Sequence, residues 1–315
     1  MMLVPFVLSS ASVPRGALLP SDDAVQAKSA LELCPVARFR AALARVDTVL
    51  PQAVQHAGGA EAIVKTYESQ YGSALCLGFN SSTWRPSSRP GRPGLVINAG
   101  EGTTGTTCLD ELFNGLGLRS AHFADDLRRE SLWNCTTASQ RPDCTVAFDN
   151  YDVVSDSPVS DELPYILASH PHGLLAHAIL TVRDPREWAE KRKQDHPTNL
   201  QAVPCSCRVG SAASLPGEEM MRVAGSAGCA PPPYPSSSAD GQHTTLIYDA
   251  WAACLVQQAG HSLTLLNLFE MSHVDLAIKL ATELRGRGAF PADLSEADVT
   301  AALANKLGST CSMLS

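Results

Sequence analysis

The sequence predicts an α/β fold, a three-layer sandwich in which helices cover both faces of a central, mostly parallel sheet. From residue 94 onward, short apolar runs typical of buried strands alternate with segments whose apolar residues recur at helical spacing. The first of these runs, LVINA at residues 95–99, leads directly into the glycine-rich stretch GEGTTGTT at residues 100–107. The chain has 315 residues, of which 44% are hydrophobic and 18% charged, so it can bury the large core that such a fold needs. Strands that alternate with helices in this way pair in parallel, because each connection crosses over one face of the sheet.

The residues that precede this alternation predict an added helical layer. Residues 1–24 begin with the apolar run MMLVPFVLSS but lack a leading positive charge, so we expect either a targeting leader or a disordered segment there. Residues 25–72 carry apolar residues three and four positions apart, interrupted by Pro35 and Pro51, and predict helices. The Pro/Ser/Arg/Gly stretch that follows is typical of an exposed connector. We therefore assign residues 25–93 to a helical extension with its linker.

The α/β domain is expected over residues 94–315. A helix is expected to begin at Pro185 with Asp184 as its N-cap, and Gly117 is expected to end an earlier helix. The Pro/Ser/Gly/Ala-rich residues 204–242 interrupt the alternation and predict an inserted loop. The other predicted elements are strands at 94–100, within 145–158, at 176–185 and at 261–270, and helices at 106–118, 160–171, 244–260 and twice near the C-terminus.

Composition and spacing exclude several classes of function. The formal net charge of −8 argues against non-specific binding of nucleic acid, which needs a basic surface. No apolar run approaches the ~18 residues of a membrane-spanning helix. Neither the ten cysteines nor the histidines at 170, 172 and 177 have the spacing of a metal site, so no metal is expected. The compartment stays open between the cytoplasm and a secretory or organellar lumen, in which disulfides could join Cys135 to Cys144 or pair the cysteines at 205, 207 and 229.

The stretch GEGTTGTT matches two phosphate-binding patterns at once. As G-x-G-x-x-G it fits a dinucleotide loop, for which Asp125 or Asp126, about twenty residues later, would bind the ribose. As a nucleoside-triphosphate loop it has Thr106 where the pattern requires lysine. In either case a strand ends, glycines let the backbone turn, and a helix begins with free N–H groups that suit an anion. A Gly/Thr-rich turn without a ligand is the alternative that this stretch alone leaves open.

Four segments, in order along residues 94–270, together resemble the sulfotransferase family. GTTGTTCLDELFNGLG resembles the family's loop for the 5′-phosphosulfate group, and YDVVSDSP resembles the segment that carries its catalytic base. AILTVRDPREWAEKRK resembles its 3′-phosphate segment, and TLIYDAWAACLVQQAGHSLTLLNLFE resembles the helix and strand that follow. The loop is most similar to that of the microbial and algal branch of this P-loop-like superfamily. The resemblance implies the α/β fold of that superfamily, 3′-phosphoadenosine 5′-phosphosulfate (PAPS) as co-substrate, no metal, and a hydroxyl or amine of a small molecule or carbohydrate as acceptor.

The resemblance also implies roles for individual residues. Arg183 and Lys191 would bind the 3′-phosphate of the donor, and Thr106 would serve catalysis at the start of the helix. Asp156 would act as the general base, with Asp152 as a weaker candidate, although Asp156 could instead cap the turn that follows it. The 5′ end of the donor would lie on the loop residues Gly102, Thr103, Thr104, Gly105, Thr106, Thr107 and Cys108.

Two positions depart from the family pattern. Thr103 stands where the family has a lysine or arginine, and Lys191 stands where it usually has a serine. The missing loop cation would have to be replaced, with Arg119, Arg128, Arg129 or an arginine of the insertion at 204–242 as candidates. Two alternatives to PAPS-dependent transfer therefore stay open, namely a catalytically degenerate nucleotide-binding protein of the same fold and an NAD(P)-dependent oxidoreductase.

Overall fold

The structure, a computed structural model, describes residues 34–70, 94–122, 151–156, 159–160, 175–195 and 239–285, together with single positions between 163 and 305. The helices within these residues are α1 Val36–Asp47, α2 Pro51–His56, α3 Ala60–Gln70, α4 Thr106–Gly115, α5 Pro185–Asp195, α6 Ala239–Gln258 and α7 His273–Arg285. The strands are β1 Leu95–Asn98, β2 Ser120–His122, β3 Val153–Ser155, β4 Leu175–Val182 and β5 Leu263–Asn267.

The five strands form one parallel sheet in the order β2-β3-β1-β4-β5. β1 lies at its centre, with Val96 opposite Val153 of β3 on one side and Ile97 opposite Ala178 of β4 on the other. Because every pairing is parallel, the carboxyl ends of all five strands meet at the same edge. The predicted parallel sheet is therefore confirmed.

The strand side chains alternate between two hydrophobic cores, one on each face of the sheet. Leu95 and Ile97 belong to the core that the sheet shares with α1, α2, α3 and α6, whereas Val96 belongs to the core shared with α4 and α7. β4 alternates in the same way, with Leu180 in the first core and Ile179 in the second. Strands buried on both faces appear in the sequence as unbroken apolar runs, which is why LVINA and AILTV were recognisable. Helices on both faces give the three-layer α/β sandwich that the sequence predicted.

Helices α1 to α3 pack on the face of the sheet that α6 also covers. Pro51 is the first residue of α2, as its fixed φ favours. Phe39 of α1 stacks on Tyr67 of α3, with ring centroids 3.8 Å apart. Cys34, just before α1, forms a disulfide with Cys254 of α6, although the two residues lie 220 positions apart in the chain. The sequence had not predicted this bond, and the division into an extension and an α/β domain at residue 94 stays a prediction.

Local signals located the helix ends well. Gly117, at a φ of +81°, follows α4 and donates its N–H to the carbonyl of Asn114, as expected of the residue that ends a helix. The Asp184 carboxylate accepts the N–H groups of Arg186 at 2.9 Å and Glu187 at 3.3 Å, so Asp184 is the predicted N-cap of α5. None of the helices that the structure describes is long and apolar enough to span a membrane. The leader at 1–24, the predicted disulfides, and most of the helix at 160–171 and of the inserted loop at 204–242 lie outside the described residues.

Candidate functional site

The glycine-rich loop, Gly100 to Gly105, joins the carboxyl end of β1 to α4 at the centre of the sheet. From β1 the chain moves to β2 and β3 on one side, whereas from β4 it moves to β5 on the other. The strand order therefore reverses between β1 and β4, and open parallel sheets bind ligands outside the carboxyl ends of the strands at such a point. The loop follows β1 and Arg183 follows β4, so both flank this crevice.

Close packing fixes the backbone of this loop. A Cβ at Gly100 would collide with the hydroxyl of Thr181 on β4, and a Cβ at Gly105 would collide with Leu268 after β5. Gly105 also has a φ of +95°, a left-handed conformation that suits glycine. Thr103 adopts a φ of +72° despite its branched side chain. A conformation of this kind costs about 1–3 kcal/mol and often occurs at functional sites.

Hydrogen bonds from α5 and β4, and others within the loop, hold the loop in place. The indole Nε1 of Trp188, fully buried on α5, donates to the carbonyl of Gly102 at 2.8 Å. The Thr104 hydroxyl donates to the carbonyl of Glu101 at 2.5 Å and lies 2.7 Å from the hydroxyl of Thr181. The N–H of Thr104 bonds the same Glu101 carbonyl at 3.3 Å. Thr104 is buried, and its hydroxyl and N–H both donate hydrogen bonds within the loop, so Thr104 stabilises the shape of the loop.

The N-terminus of α4 presents its first amides with no side-chain cap among the described residues. Gly105 is the N-cap, and a backbone hydrogen bond of the first turn runs from the N–H of Leu109 to the carbonyl of Gly105 at 3.2 Å. The N–H groups of Thr106, Thr107 and Cys108 precede that bond, so they are the donors that a helix start leaves unpaired. The helix dipole adds partial positive charge at the same end. This geometry suits a phosphate or sulfate group.

Arg183 follows β4, the strand next to β1, and its side chain contacts the loop. Its guanidinium carbon is 4.0 Å from the centroid of the Phe269 ring, a cation–π contact, and its side chain is only 16% exposed. Nη1 donates to the carbonyl of Thr103 at 3.4 Å, and Nε donates to Glu187 at 3.4 Å. Glu187 is 58% exposed, so this long ion pair contributes little. The planar guanidinium is thus held at the crevice in a form that suits a phosphate.

Cys108 and Lys191 lie at the margins of the predicted site. Cys108 is buried and its sulfur is in a disulfide, so only its N–H is suited to bind a ligand. Lys191 is half-buried on α5, four residues after Glu187 and therefore on the same helix face. Its Cα stands about 9 Å along the helix from Pro185.

Three side chains from three elements meet at the start of α4. Nε2 of His122, the last residue of β2, lies 2.9 Å from Thr106 Oγ1 and 3.1 Å from Asp156 Oδ2. Thr106 Oγ1 also lies 3.4 Å from Asp156 Oδ2, and the hydroxyl of Thr107 lies 3.4 Å from His122 Nε2. The parallel register sets His122 opposite Ser155, so residues at the ends of β2 and β3 converge on the helix start. The result is a compact cluster of a base, an acid and a hydroxyl beside the loop.

Asp156 directs its carboxylate into this cluster. It follows β3 with a φ of +63°, which is uncommon for a residue with a side chain. Its backbone carbonyl accepts the N–H groups of Val159 at 2.6 Å and Ser160 at 3.1 Å and so closes the turn that follows. The carboxylate, 9% exposed, contacts Thr106 and His122 instead. The backbone of Asp156 makes the turn, and its side chain lies in the site.

Sequence reasoning did not single out His122. Burial lowers the pKa of its imidazole, but the hydrogen bond and charge of Asp156, together with the charges of Asp110 and Glu111, outweigh burial and raise the pKa above its ordinary value of 6.5. The only local signal was a histidine in the short segment SAHF, too short to show strand periodicity. Its role depends on the pairing of β2 with β3, which no local pattern reveals.

Other residues considered from the sequence lie away from the loop. Arg119 and Asp152 precede β2 and β3, at the amino edge of the sheet, where two side-chain hydrogen bonds of 2.9 and 3.2 Å join them. Arg119 is therefore not the replacement for the loop cation, and Asp152 is not the base. His177 bonds the hydroxyls of Ser262 and Thr264 within the sheet, at 2.8 and 2.7 Å. Within the described part of the chain, no group of His, Cys, Asp or Glu residues could hold a metal. Arg128, Arg129, Asp125, Asp126, His170 and His172 lie outside the described residues.

Two buried carboxyl groups, one in the loop and one on α6, interact through their charges. Glu101 of the loop is 6% exposed and Asp249 of α6 is 1% exposed. Burial raises the pKa of Asp249 well above its ordinary value, and the charge of Glu101 raises it further. Tyr248, next to Asp249, donates to the carbonyl of Ala99 at 2.6 Å and so fixes α6 against the end of β1. The raised pKa favours the neutral form of Asp249, which adds no negative charge beside a loop whose geometry suits an anion.

Comparison with known proteins identifies the region that contains this site. Residues 95–202, about a third of the chain, match the family model of the sulfotransferase domain. The matched region begins at β1 and includes the glycine-rich loop, His122, Asp156, Arg183 and Lys191. No curated protein and no solved structure matched the chain.

Proposed function

Because the chain carries a sulfotransferase domain, we propose that it transfers a sulfuryl group from PAPS to a hydroxyl or amine of a small molecule or carbohydrate. The donor carries two separate anionic groups, a 5′-phosphosulfate and a 3′-phosphate. A protein that binds it needs two positive positions at a fixed distance from each other. The crevice between β1 and β4 offers two such positions.

The observation that carries this proposal is the uncapped start of α4 with Arg183 beside it. The N–H groups of Thr106, Thr107 and Cys108 suit the 5′ end of the donor, supported by the helix dipole. Arg183, held by Phe269 after the adjacent strand, suits the 3′-phosphate. Lys191, further along α5, would add a second charge for that group. Gly102, Thr103, Thr104 and Gly105 supply the backbone shape that brings a phosphate close to the helix start.

The chemistry of sulfuryl transfer fits a site built from amides and hydroxyls. The group passes between two oxygens, and negative charge grows on the leaving phosphate. Catalysis then rests on positioning and on electrostatic stabilisation, for which fixed N–H donors are well suited. Thr106, whose hydroxyl lies inside the cluster with Asp156, would donate to the oxygen on which charge grows. Asp156 would take part in removing the proton of the acceptor.

A second candidate function is nucleotide binding without turnover. Thr103 has no positive charge to offer, and its buried hydroxyl finds no partner among the described residues. Loss of one electrostatic donor at a site of this kind commonly costs about 10²–10³ in rate. The two candidates share the binding site and differ in the rate of transfer, so one set of ligands tests both.

The first experiment is a thermal-shift titration with 3′,5′-adenosine bisphosphate, NAD(P)H and Mg-ATP in parallel. Stabilisation by the bisphosphate alone would support PAPS as the donor, whereas stabilisation by NAD(P)H alone would refute it in favour of an oxidoreductase. Transfer of labelled sulfate from PAPS to a panel of phenols, alcohols, amines and sugars then separates turnover from binding.

Arg183→Ala tests the assignment of the 3′-phosphate. Loss of one charge-assisted hydrogen bond costs about 1.5–3 kcal/mol, or about 10- to 150-fold in the dissociation constant of the bisphosphate. Arg186→Ala, on the exposed first turn of α5, removes the same charge three residues away and should leave the affinity nearly unchanged. Equal binding by wild type and Arg183→Ala would refute the phosphate assignment.

A further inference from the structure

We infer that His122 accepts the proton of the sulfuryl acceptor and that Asp156 orients its imidazole. The inference rests on the proposed function, because it names a catalytic group for that same site. In this inference Asp156 does not accept the proton itself but holds the imidazole of His122, which does.

The geometry of the cluster supports this division of roles. Nε2 of His122 is 3.1 Å from Asp156 Oδ2, a hydrogen-bond distance, so the ring can donate Nε2–H to the carboxylate. In that tautomer the lone pair is on Nδ1, which takes part in no hydrogen bond among the described residues. The imidazole is 18% exposed and the carboxylate is 9% exposed, so the ring is the more accessible of the two groups. An imidazole oriented by a carboxylate is a recurrent arrangement for proton transfer in enzymes.

Convergence of three elements explains how the ring is held. His122 ends β2 and Asp156 follows β3, while Thr106 and Thr107 open α4. The two threonine hydroxyls lie 2.9 and 3.4 Å from Nε2, so the ring is fixed against the amides that suit the 5′ end of the donor. The ring therefore lies at the helix start, where the proposed donor would place its transferred group and where an attacking oxygen must arrive.

The charges around His122 make its imidazole a stronger base. Asp156, which follows β3, contacts the ring, and the charges of Asp110 and Glu111 act on it from α4. Together they raise the pKa of His122 above 6.5 against the opposite effect of burial. A general base is most effective when its pKa lies close to the working pH.

The proton transfer accompanies the sulfuryl transfer. A lone pair of the acceptor oxygen forms a bond to sulfur while the bond from sulfur to the bridging phosphate oxygen breaks. The electron pair of the broken bond stays on that phosphate oxygen, which leaves as part of 3′,5′-adenosine bisphosphate. The acceptor proton moves to Nδ1 of His122, and the imidazolium that forms is stabilised by Asp156. The sulfated acceptor and the bisphosphate are the products, and the proton passes to water when the ring is deprotonated.

His122→Gln is the first test, with His56→Gln as the matched control. Glutamine keeps an N–H donor for Asp156 but cannot take a proton, so kcat should fall about 100- to 10,000-fold, the usual contribution of a general base. The thermal shift caused by the bisphosphate should stay at the wild-type value. His56 lies exposed on α2, away from the loop, and its substitution should leave both readouts unchanged. His122→Ala should regain part of its kcat in the presence of imidazole, which a purely structural histidine would not show.

The outcomes separate the inference from the function on which it rests. If the bisphosphate fails to stabilise wild type, the proposed function fails and His122 has no sulfuryl acceptor to deprotonate. If wild type binds the bisphosphate and His122→Gln turns over within about threefold of wild type, a loss far below that of a general base, only the inference fails. Loss of bisphosphate binding in His122→Gln would also overturn the inference, because His122 would then be needed to bind the sulfuryl donor.

A readout without any acceptor completes the test. Titration of the histidine side chains by ¹⁵N NMR should give His122 a pKa above 6.5, and Asp156→Asn should lower it. If the pKa of His122 is 6.5 or lower, or if Asp156→Asn leaves it unchanged, Asp156 does not interact with His122 as inferred. The inference then fails whatever the substrate is.

Discussion

Replacement of Gly105 by alanine should damage the anion site far more than the same change at Gly117. Both glycines flank α4 and both have positive φ, +95° and +81°. An alanine in this region costs about 1–2 kcal/mol in the folded state. Alanine also lowers the conformational entropy of the unfolded chain, which offsets about 0.4–1 kcal/mol of that cost. The backbone term alone therefore predicts a loss of about 1 kcal/mol of unfolding free energy at either position.

The surroundings of the two glycines differ. A Cβ at Gly117 meets nothing within 4 Å, whereas a Cβ at Gly105 would collide with Cδ1 of Leu268 and approach its Cγ to 3.4 Å. Overpacking of this kind costs a further 1–3 kcal/mol, roughly. Gly105→Ala should thus lose about 2–4 kcal/mol in urea unfolding. The double variant Gly105→Ala/Leu268→Ala should recover the collision term relative to the sum of the two single variants.

The binding of 3′,5′-adenosine bisphosphate gives the functional readout. Gly105 is the N-cap that aims the amides of Thr106 and Thr107, so its displacement should cost at least one charge-assisted hydrogen bond, about 1.5–3 kcal/mol. Isothermal titration should show affinity reduced about 10- to 150-fold for Gly105→Ala and unchanged for Gly117→Ala. Equal affinities for the two variants would refute the reasoning, because the loop would then not form the anion site.

Two further predictions concern stability. Cys34→Ala/Cys254→Ala should lower the free energy of unfolding by about 2–5 kcal/mol, since the disulfide closes a very long loop; unchanged urea unfolding of the double variant would contradict this. Asp249→Asn should raise the free energy of unfolding at pH 7. The folded pKa of Asp249 is raised by burial and by Glu101, so the stability that its protonation provides is complete below about pH 3.9 and declines as pH rises toward the folded pKa. In that interval the advantage of the variant should grow by about 1.4 kcal/mol per pH unit, and the same advantage at pH 4 and pH 7 would contradict the assignment.

Features encoded by neighbouring residues were predictable from the sequence. The strand before the loop, the N-cap Asp184 and the helix end at Gly117 follow from apolar runs and from side chains within a few positions. Arg183 was predictable because it ends a strand in a segment that resembles a phosphate site. Parallel pairing then brings the carboxyl ends of the strands together, so candidate residues at several strand ends could be assigned to one edge.

Features that depend on tertiary packing were not predictable. The site contains His122 only because β2 pairs with β3 in one particular register, and a three-residue strand carries no periodic signal. Trp188 bonds the loop from a helix that begins about eighty residues later, within a segment whose charge pattern indicates only a surface helix. The pairing of Cys34 with Cys254 needs α1 to lie against α6, and ten cysteines allow many pairings.

Two departures from the family pattern offset each other in charge. Thr103 removes a cation from the loop, and Lys191 adds one on α5, so the number of cations expected around a bisphosphate nucleotide is unchanged. Binding of a polyanion depends mainly on the total charge nearby, whereas the rate depends on charge at the atom where it grows. Arg183 contacts that part of the loop, with Nη1 3.4 Å from the carbonyl of Thr103, and in our proposal it also binds the 3′-phosphate. We therefore expect a protein that keeps its affinity for the nucleotide and transfers the sulfuryl group more slowly than a relative with a loop cation.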